Sequence, residues 1–72
     1  MSRIVAIGRH AELAGYALAG VELLEADDPA AAHRLWDGLD ADVALVLLTS
    51  ESRRALGDLS ARPEVLWAVL PE

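Results

Sequence analysis

Short runs of consecutive apolar residues set the strongest limit on the fold of this chain. Four runs are rich in β-branched or aliphatic residues: RIVAI (3–7), VELLEA (21–26), DVALVLL (42–48) and EVLWAVL (64–70). In the first, third and fourth runs the apolar residues are consecutive and do not alternate with polar ones. Since strands covered on both faces have this pattern, the runs predict a parallel sheet between layers of helices.

The segments between the runs have the spacing of helices. Residues 28–39 offer Asp28 as an N-cap and Pro29 at the first helical position, followed by an apolar face at intervals of three and four residues. Residues 50–60 offer Ser50 as an N-cap, and Gly57 weakens this second helix.

The remaining connection, residues 10–19, is the poorest helix because Gly15 lies in mid-turn. Strand-helix alternation with right-handed crossovers predicts a small three-layer α/β domain over residues 1–72. Its four-stranded parallel sheet has the order 2-1-3-4, a Rossmann-like or receiver-like topology, with two helices on one face and one on the other.

Size and charge exclude several classes of protein. A chain of 72 residues without cysteine is marginally stable alone, since it buries only about 60% of its unfolded surface. The net charge of −6 and the absence of lysine argue against nucleic acid as a partner. The longest apolar run, VALVLL (43–48), is far shorter than the roughly 20 residues of a membrane helix. The N-terminal apolar segment is too short for a secretory signal, so we expect a cytoplasmic protein without membrane insertion.

The predicted topology specifies where a ligand would bind. In open α/β sheets the crevice lies beyond the carboxyl ends of the strands, at the point where the direction of winding reverses. Here that switch point falls between the ends of strands one and three. Its candidate residues are Gly8, Arg9 and His10, with Thr49, Ser50 and Glu51 opposite.

Known nucleotide and phosphoryl motifs do not fit this crevice. A dinucleotide site needs G-x-G-x-x-G, but the glycine that follows Gly8 is Gly15. A phosphoacceptor receiver needs carboxylates after strands one and three and a lysine, whereas this chain has IGRH and LLTS there. We therefore expect no cofactor.

The residues of the switch point and the two histidines give little support to catalysis or to metal binding. His10 beside Ser50 or Thr49, oriented by Glu51 or Glu12, is conceivable for hydrolysis. A structural interpretation is stronger, because Ser50 caps a helix and His10 begins one. The remaining histidine, His33, is expected on an exposed helix face, and no spacing resembles a metal site.

The two tryptophans are the candidate interface residues. Trp36 and Trp67 are both expected in the core, but a half-exposed tryptophan on an edge strand also suits a binding surface. An uncovered last strand makes a homodimer possible. Acidic residues at 22, 25, 27 and 28 are expected to be solvated and to block pairing at the other edge.

One segment carries a family resemblance. IGRHAELAGYALAGV (7–21) is similar to the N-terminal signature of the F subunits of the V-type and archaeal-type rotary ATPases, where an IGD turn leads into a helix ending GFRLAGV. ADDPAAAHRL, VALVLLTSE and RPEVLWAVLPE resemble later parts of that family, so the resemblance covers nearly all of the chain. The matching residues of the first segment are Ile7, Gly8, Gly15, Leu18, Ala19, Gly20 and Val21, with Tyr16 in place of phenylalanine.

The resemblance implies a non-catalytic component of the central stalk of a proton-translocating ATPase or ATP synthase. Its partners would be the coiled-coil D subunit of that stalk and the catalytic ring, reached by a C-terminal extension that modulates ATP hydrolysis. The glycines would serve geometry: Gly8 turns the chain, Gly15 lets the helix approach the sheet, and Gly20 ends that helix.

Some residues depart from the family. Arg9 and His10 occupy a turn that is usually acidic, and Ala17 replaces a basic residue. The sequence stops at Glu72, directly after the fourth predicted strand, so we expect either a short form or a truncated chain without the extension. The alternative is a stand-alone adaptor or regulator of the same fold. It would bind a partner or a small anionic ligand at the switch point.

Overall fold

Strands and helices alternate along the chain as the sequence predicts. The computed structural model describes residues 3–16 and 20–71. The elements are β1 (Arg3–Gly8), α1 (His10–Leu13) with a 3-10 turn (Ala14–Tyr16), β2 (Val21–Glu25), α2 (Pro29–Asp37), β3 (Val43–Leu48), α3 (Ser50–Leu56) and β4 (Trp67–Val69).

The sheet has four parallel strands in the order β2-β1-β3-β4, which confirms the predicted fold class. Ile7 of β1 lies between Leu24 of β2 and Leu48 of β3. The carboxyl ends of β1 and β3 are therefore neighbours. The switch point falls where the topology predicts it.

Two helices cover one face of the sheet. α2 and α3 pack against each other and enclose one apolar cluster with the sheet. Its buried members are Val5, Ile7, Ala26, Ala32, Trp36, Val46, Leu48, Leu56 and Leu59. α1 contacts β1 and β2, and right-handed crossovers place it on the opposite face, where Leu13 is fully buried. Burial of such a leucine stabilises the fold by about 1.5–3 kcal/mol.

α2 begins at the predicted residues. Asp28 Oδ1 accepts a hydrogen bond from the Ala31 N–H at 2.7 Å, and Pro29 is the first helical residue. The helix ends at Asp37, two residues before the predicted end. The Arg62 guanidinium donates to the carbonyl of Trp36 at 2.6 Å and to that of Leu39 at 3.0 Å, so a distant arginine satisfies carbonyl groups at this end.

α3 differs from its prediction at both ends. Its N-cap is Thr49 and not Ser50, because Thr49 has extended backbone and its Oγ1 accepts a hydrogen bond from the Ser52 N–H at 3.1 Å. The helix ends at Leu56, four residues early, because Gly57 adopts a φ of 66°. This left-handed conformation stops the helix, and glycine adopts it without strain.

β4 is three residues long and does not extend over the predicted 64–70. The chain before it turns tightly, with hydrogen bonds from the Arg62 N–H to the Leu59 carbonyl and from the Val65 N–H to the Arg62 carbonyl. Because of these turns, β4 begins only at Trp67.

Two of the three predicted structural glycines, Gly8 and Gly15, do not have the role expected of them in the described part of the chain. Gly8 is the last residue of β1, and a Cβ there would overlap the Thr49 side chain, so its role is close approach and not the turn. A Cβ on Gly15 would meet no atom of the described residues within 4 Å, so the expected close approach at Gly15 is absent there.

Gly20 has a φ of 87°, a left-handed conformation that leads the chain into β2. The predicted helix end at 17–19, which includes Leu18 and Ala19 of the resemblance, lies outside the described residues, as does Glu72. In the described part of the chain, no helix combines the length and the apolar character needed to cross a membrane.

Candidate functional site

Gly8 and Thr49 are the buried residues of the switch point, at the ends of β1 and β3. Gly8 is buried, and Thr49 is only 3% exposed. The Thr49 N–H donates to the Ile7 carbonyl at 3.2 Å, while the Gly8 carbonyl accepts from the Ala26 N–H at 2.8 Å. The Thr49 side chain packs where a side chain on Gly8 would lie. The Thr49 side chain therefore occupies the space next to Gly8 between the ends of β1 and β3.

An ion pair bridges the loop after β1 and the first turn of α3. Arg9 Nε donates to Glu51 Oε1 at 2.6 Å. This hydrogen bond, together with the negative charge of Glu51, raises the pKa of Arg9 above its ordinary value. The guanidinium therefore faces a carboxylate of its own chain. An incoming anion would have to compete with Glu51 for it.

His10 is directed away from the hydroxyl groups of the switch point. Its Nδ1 lies 2.8 Å from Glu25 Oε1, at the end of β2. The Thr49 hydroxyl donates to Ser52 Oγ at 3.0 Å and also caps α3. Among the described residues, no hydrogen bond joins His10 to Thr49 or Ser50. The arrangement considered for hydrolysis is not assembled.

The predicted surface features of the acidic residues and of His33 are present. The acidic residues at 22, 25, 27 and 28 are exposed, as is His33 on α2. Within residues 3–16 and 20–71, no group of three or more histidine, aspartate or glutamate residues is arranged to hold a metal ion.

An exposed apolar surface lies at the end of the chain. Leu66 is 66% exposed, Trp67 39% and Val69 43%, and we call these three residues the β4 patch. Arg53 of α3 lies over the Trp67 ring, with its Cζ 4.7 Å from the ring centroid. This contact holds the indole against α3 and leaves its outer part exposed.

Only one of the two candidate tryptophans is available to a partner. Trp36 is 5% exposed and belongs to the core, which confirms its expected place there and contradicts the alternative that it is an interface residue. Its side chain packs into the apolar cluster between α2 and the sheet. Trp67 is exposed, so the expectation that it lies in the core is wrong. It stays a candidate interface residue, and it lies on the edge strand as expected.

Two features of the surface are not predicted from the sequence. A cleft of about 310 Å³ adjoins Trp67, between α3 and the loop that precedes β4. At the opposite end of the sheet, Arg3 contacts the carboxylates of Glu22, Asp40 and Asp42 at 2.8, 3.3 and 3.2 Å. Both depend on side chains from distant segments, and no motif signals them.

The fold and these contacts define a small doubly wound α/β domain with a filled switch point and an exposed apolar edge strand. A scan with protein-family models finds no match to this chain, and searches of curated proteins and of solved structures find none either. The similarity to the F subunits of rotary ATPases stays a prediction from the residues quoted above.

Proposed function

We propose that this chain is a non-catalytic interaction domain that docks on a protein partner through the β4 patch. The observation that carries the proposal is the exposure of three apolar residues at the open edge of the sheet: Trp67 and Val69 on one face of β4, and Leu66, directly before the strand, on the other. Tryptophan at the centre of an apolar patch is typical of binding surfaces. An edge strand adds unpaired backbone groups to the same surface.

The filled switch point supports a partner over a small ligand. Ligand sites in this type of fold need an open crevice lined by convergent polar groups. Here Thr49 packs against Gly8, and Arg9 is already bound by Glu51. An anionic ligand would need to displace an ion pair and would still find no room beside Gly8.

The sequence resemblance supplies the identity of the proposed partner. We propose a role like that of the F subunits in the central stalk of a V/A-type ATPase or ATP synthase, with the coiled-coil subunit of the stalk as the direct partner. The protein would act by rigid contact at the cytoplasmic side and would join the membrane only through the complex. One support for this step is residues 15–21, GYALAGV, which fit the pattern G-[FY]-x-L-A-G-[VL] of that family. The other is the four-stranded parallel sheet, which the resemblance also implies.

The test is affinity purification of the tagged chain from its native cells, with quantitative mass spectrometry. We expect the coiled-coil stalk subunit and the catalytic ring to be enriched with the wild type. Leu66→Asp places a charge in the patch at a residue that is two-thirds exposed, so we expect the fold to tolerate the substitution. We expect it to lower recovery about tenfold, the effect of roughly 1.4 kcal/mol of binding free energy.

The matched control is Ala41→Asp, an equal charge change in an exposed turn outside the patch. It should be recovered with the same partners as the wild type. If the wild type does not enrich the coiled-coil stalk subunit, the rotary-ATPase role is wrong. If Leu66→Asp retains full binding, the partner uses another surface.

A further inference from the structure

We infer that the free chain forms an antiparallel dimer through the outer edge of β4, with Ala68 of one copy facing Ala68 of the second. This inference goes beyond the proposed function, because the occupant of the edge is a second copy of this chain. It rests on the backbone geometry of β4 and on the difference between the two edges of the sheet.

The hydrogen bonds of β4 show which backbone groups face outward. The Leu66 carbonyl accepts from the Val46 N–H at 2.9 Å, and the Leu70 N–H donates to the Leu48 carbonyl at 2.8 Å. Alternate residues of a strand bond to the same neighbour, so Leu66, Ala68 and Leu70 face β3. The N–H and carbonyl groups of Trp67 and Val69 therefore point to the open edge.

Two such edges are complementary to each other about a two-fold axis. When Ala68 lies on the axis, Trp67 of one copy is opposite Val69 of the second, and each pair exchanges both of its backbone hydrogen bonds. Four hydrogen bonds form in total. On one face of the joined sheet the Trp67 side chain contacts Val69, and on the other Leu66 contacts Leu70. The exposed side chains of Leu66, Trp67 and Val69 and the half-buried Leu70 would thus cover one another.

The other edge of the sheet does not accept β4 equally well. β2 carries Glu22 and Glu25, both exposed, and edge carboxylates of this kind discourage pairing. The segment from Val65 to Leu70 has no charged residue. Pairing of β4 with β2 would also build an open chain of copies, whereas pairing of β4 with itself closes after two. The charge pattern therefore favours the closed dimer.

The dimer is expected to be reversible. Its strand is three residues long, and the two copies repel each other through a net charge of −6 each. Since the same edge is the proposed docking surface, self-pairing and partner docking exclude each other. The dimer would thus hide the β4 patch until a partner displaces the second copy.

Sedimentation equilibrium of the purified chain tests the dimer. We expect the weight-average mass to rise with concentration from 7.7 kDa toward that of two chains. Added salt should strengthen the association, because it screens the repulsion of two acidic copies and does not weaken apolar contacts or backbone hydrogen bonds. A monomer at every concentration and salt level would overturn the inference.

Charge variants at the axis test the register. Ala68→Lys and Ala68→Glu each place two like charges opposite one another, and we expect the dimer to weaken about tenfold or more in each variant. An equimolar mixture of the two variants places opposite charges on the axis and should recover the association. Recovery also shows that both variants are folded. The control, Ala41→Lys, should associate like the wild type.

Each outcome separates this inference from the proposed function. If the single variants associate like the wild type, or if the mixture fails to recover association, the register about Ala68 is wrong. A chain that stays monomeric but binds the coiled-coil stalk subunit overturns the dimer alone. A chain that dimerises and never binds that partner overturns the proposed function alone.

Discussion

Gly8 is the residue at which packing of the sheet most directly affects the switch point. A side chain there would overlap Thr49, and Thr49 cannot turn away without losing its hydrogen bonds to Ser52. Glycine at this position lets β1 and β3 end side by side with no space between them. The same contact places the Thr49 side chain at the point where related topologies bind ligands.

Replacing Gly8 by alanine should destabilise the protein by about 1–3 kcal/mol, the usual cost of an overpacked site. The measurement is urea unfolding followed by circular dichroism. The double variant Gly8→Ala, Thr49→Ser removes the overlapping methyl group but keeps the capping hydroxyl, and should regain most of the lost free energy. Gly15→Ala is the matched control and should unfold like the wild type, since a Cβ there meets no described atom within 4 Å. Equal losses in Gly8→Ala and the double variant would show that the contact is not responsible.

Asp58 gives the fold one acid-sensitive contact. The Ser60 N–H donates to Asp58 Oδ1 at 2.9 Å, and this bond, followed by one from the Ser60 side chain, holds the pKa of Asp58 below its usual value of 3.8. A carboxylate whose pKa is lower in the folded state stabilises above its unfolded pKa. That contribution is lost as the pH falls through the folded value.

Stability should therefore fall as the pH is lowered below about 4. Asp58→Asn should remove that part of the pH dependence, so the difference in unfolding free energy between variant and wild type should shrink on acidification. NMR titration of the Asp58 carboxyl group gives the direct measurement. A midpoint at or above the usual value would contradict the hydrogen-bond assignment.

At the scale of helices and strands, the sequence predicts those features that depend on residues close together in the chain or on the order of the elements. The position of α2 follows from its cap, its proline and its apolar period, all of which are local signals. The strand order follows from chain direction and handed crossovers, which need only the order of elements. The switch-point residues follow in turn from the strand order.

Contacts between distant side chains cannot be predicted in this way. Arg9 and Glu51 are far apart in sequence, and only the packed structure shows that each neutralises the other. The predicted N-cap of α3 is wrong by one residue, because threonine and serine both suit a cap and the sequence does not show where β3 ends. The exposure of Trp67 is also not predicted from the sequence, because it depends on how the chain before β4 packs against α3.

The cap of α3 gives a prediction at this scale. Thr49→Ala removes the acceptor for the Ser52 N–H and should cost about 1 kcal/mol of unfolding free energy. Ser50→Ala is the matched control and should cost less, because Ser50 is already inside the helix. Thermal unfolding of both variants measures the difference. A larger loss of unfolding free energy for Ser50→Ala would show that Ser50, and not Thr49, is the N-cap.

For the whole molecule, the packing at the switch point and the open edge of β4 both favour binding of a partner at β4. At the carboxyl end of the sheet, where this fold usually binds ligands, Thr49 packs against Gly8 and Arg9 is paired with Glu51. The exposed apolar residues lie instead at β4. A chain of 72 residues is marginally stable alone, so covering this patch would also stabilise the fold.

NMR mapping of the chain with the coiled-coil stalk subunit tests the central claim most directly. We expect the amide signals of Leu66 to Leu70 to shift and the Trp67 and Val69 amides to become protected from hydrogen exchange. The amides of Arg9, Thr49 and Glu51 should stay unchanged. Shifts centred on Arg9 and Thr49, with β4 unaffected, would contradict the claim that this protein binds its partner through the open edge of its sheet.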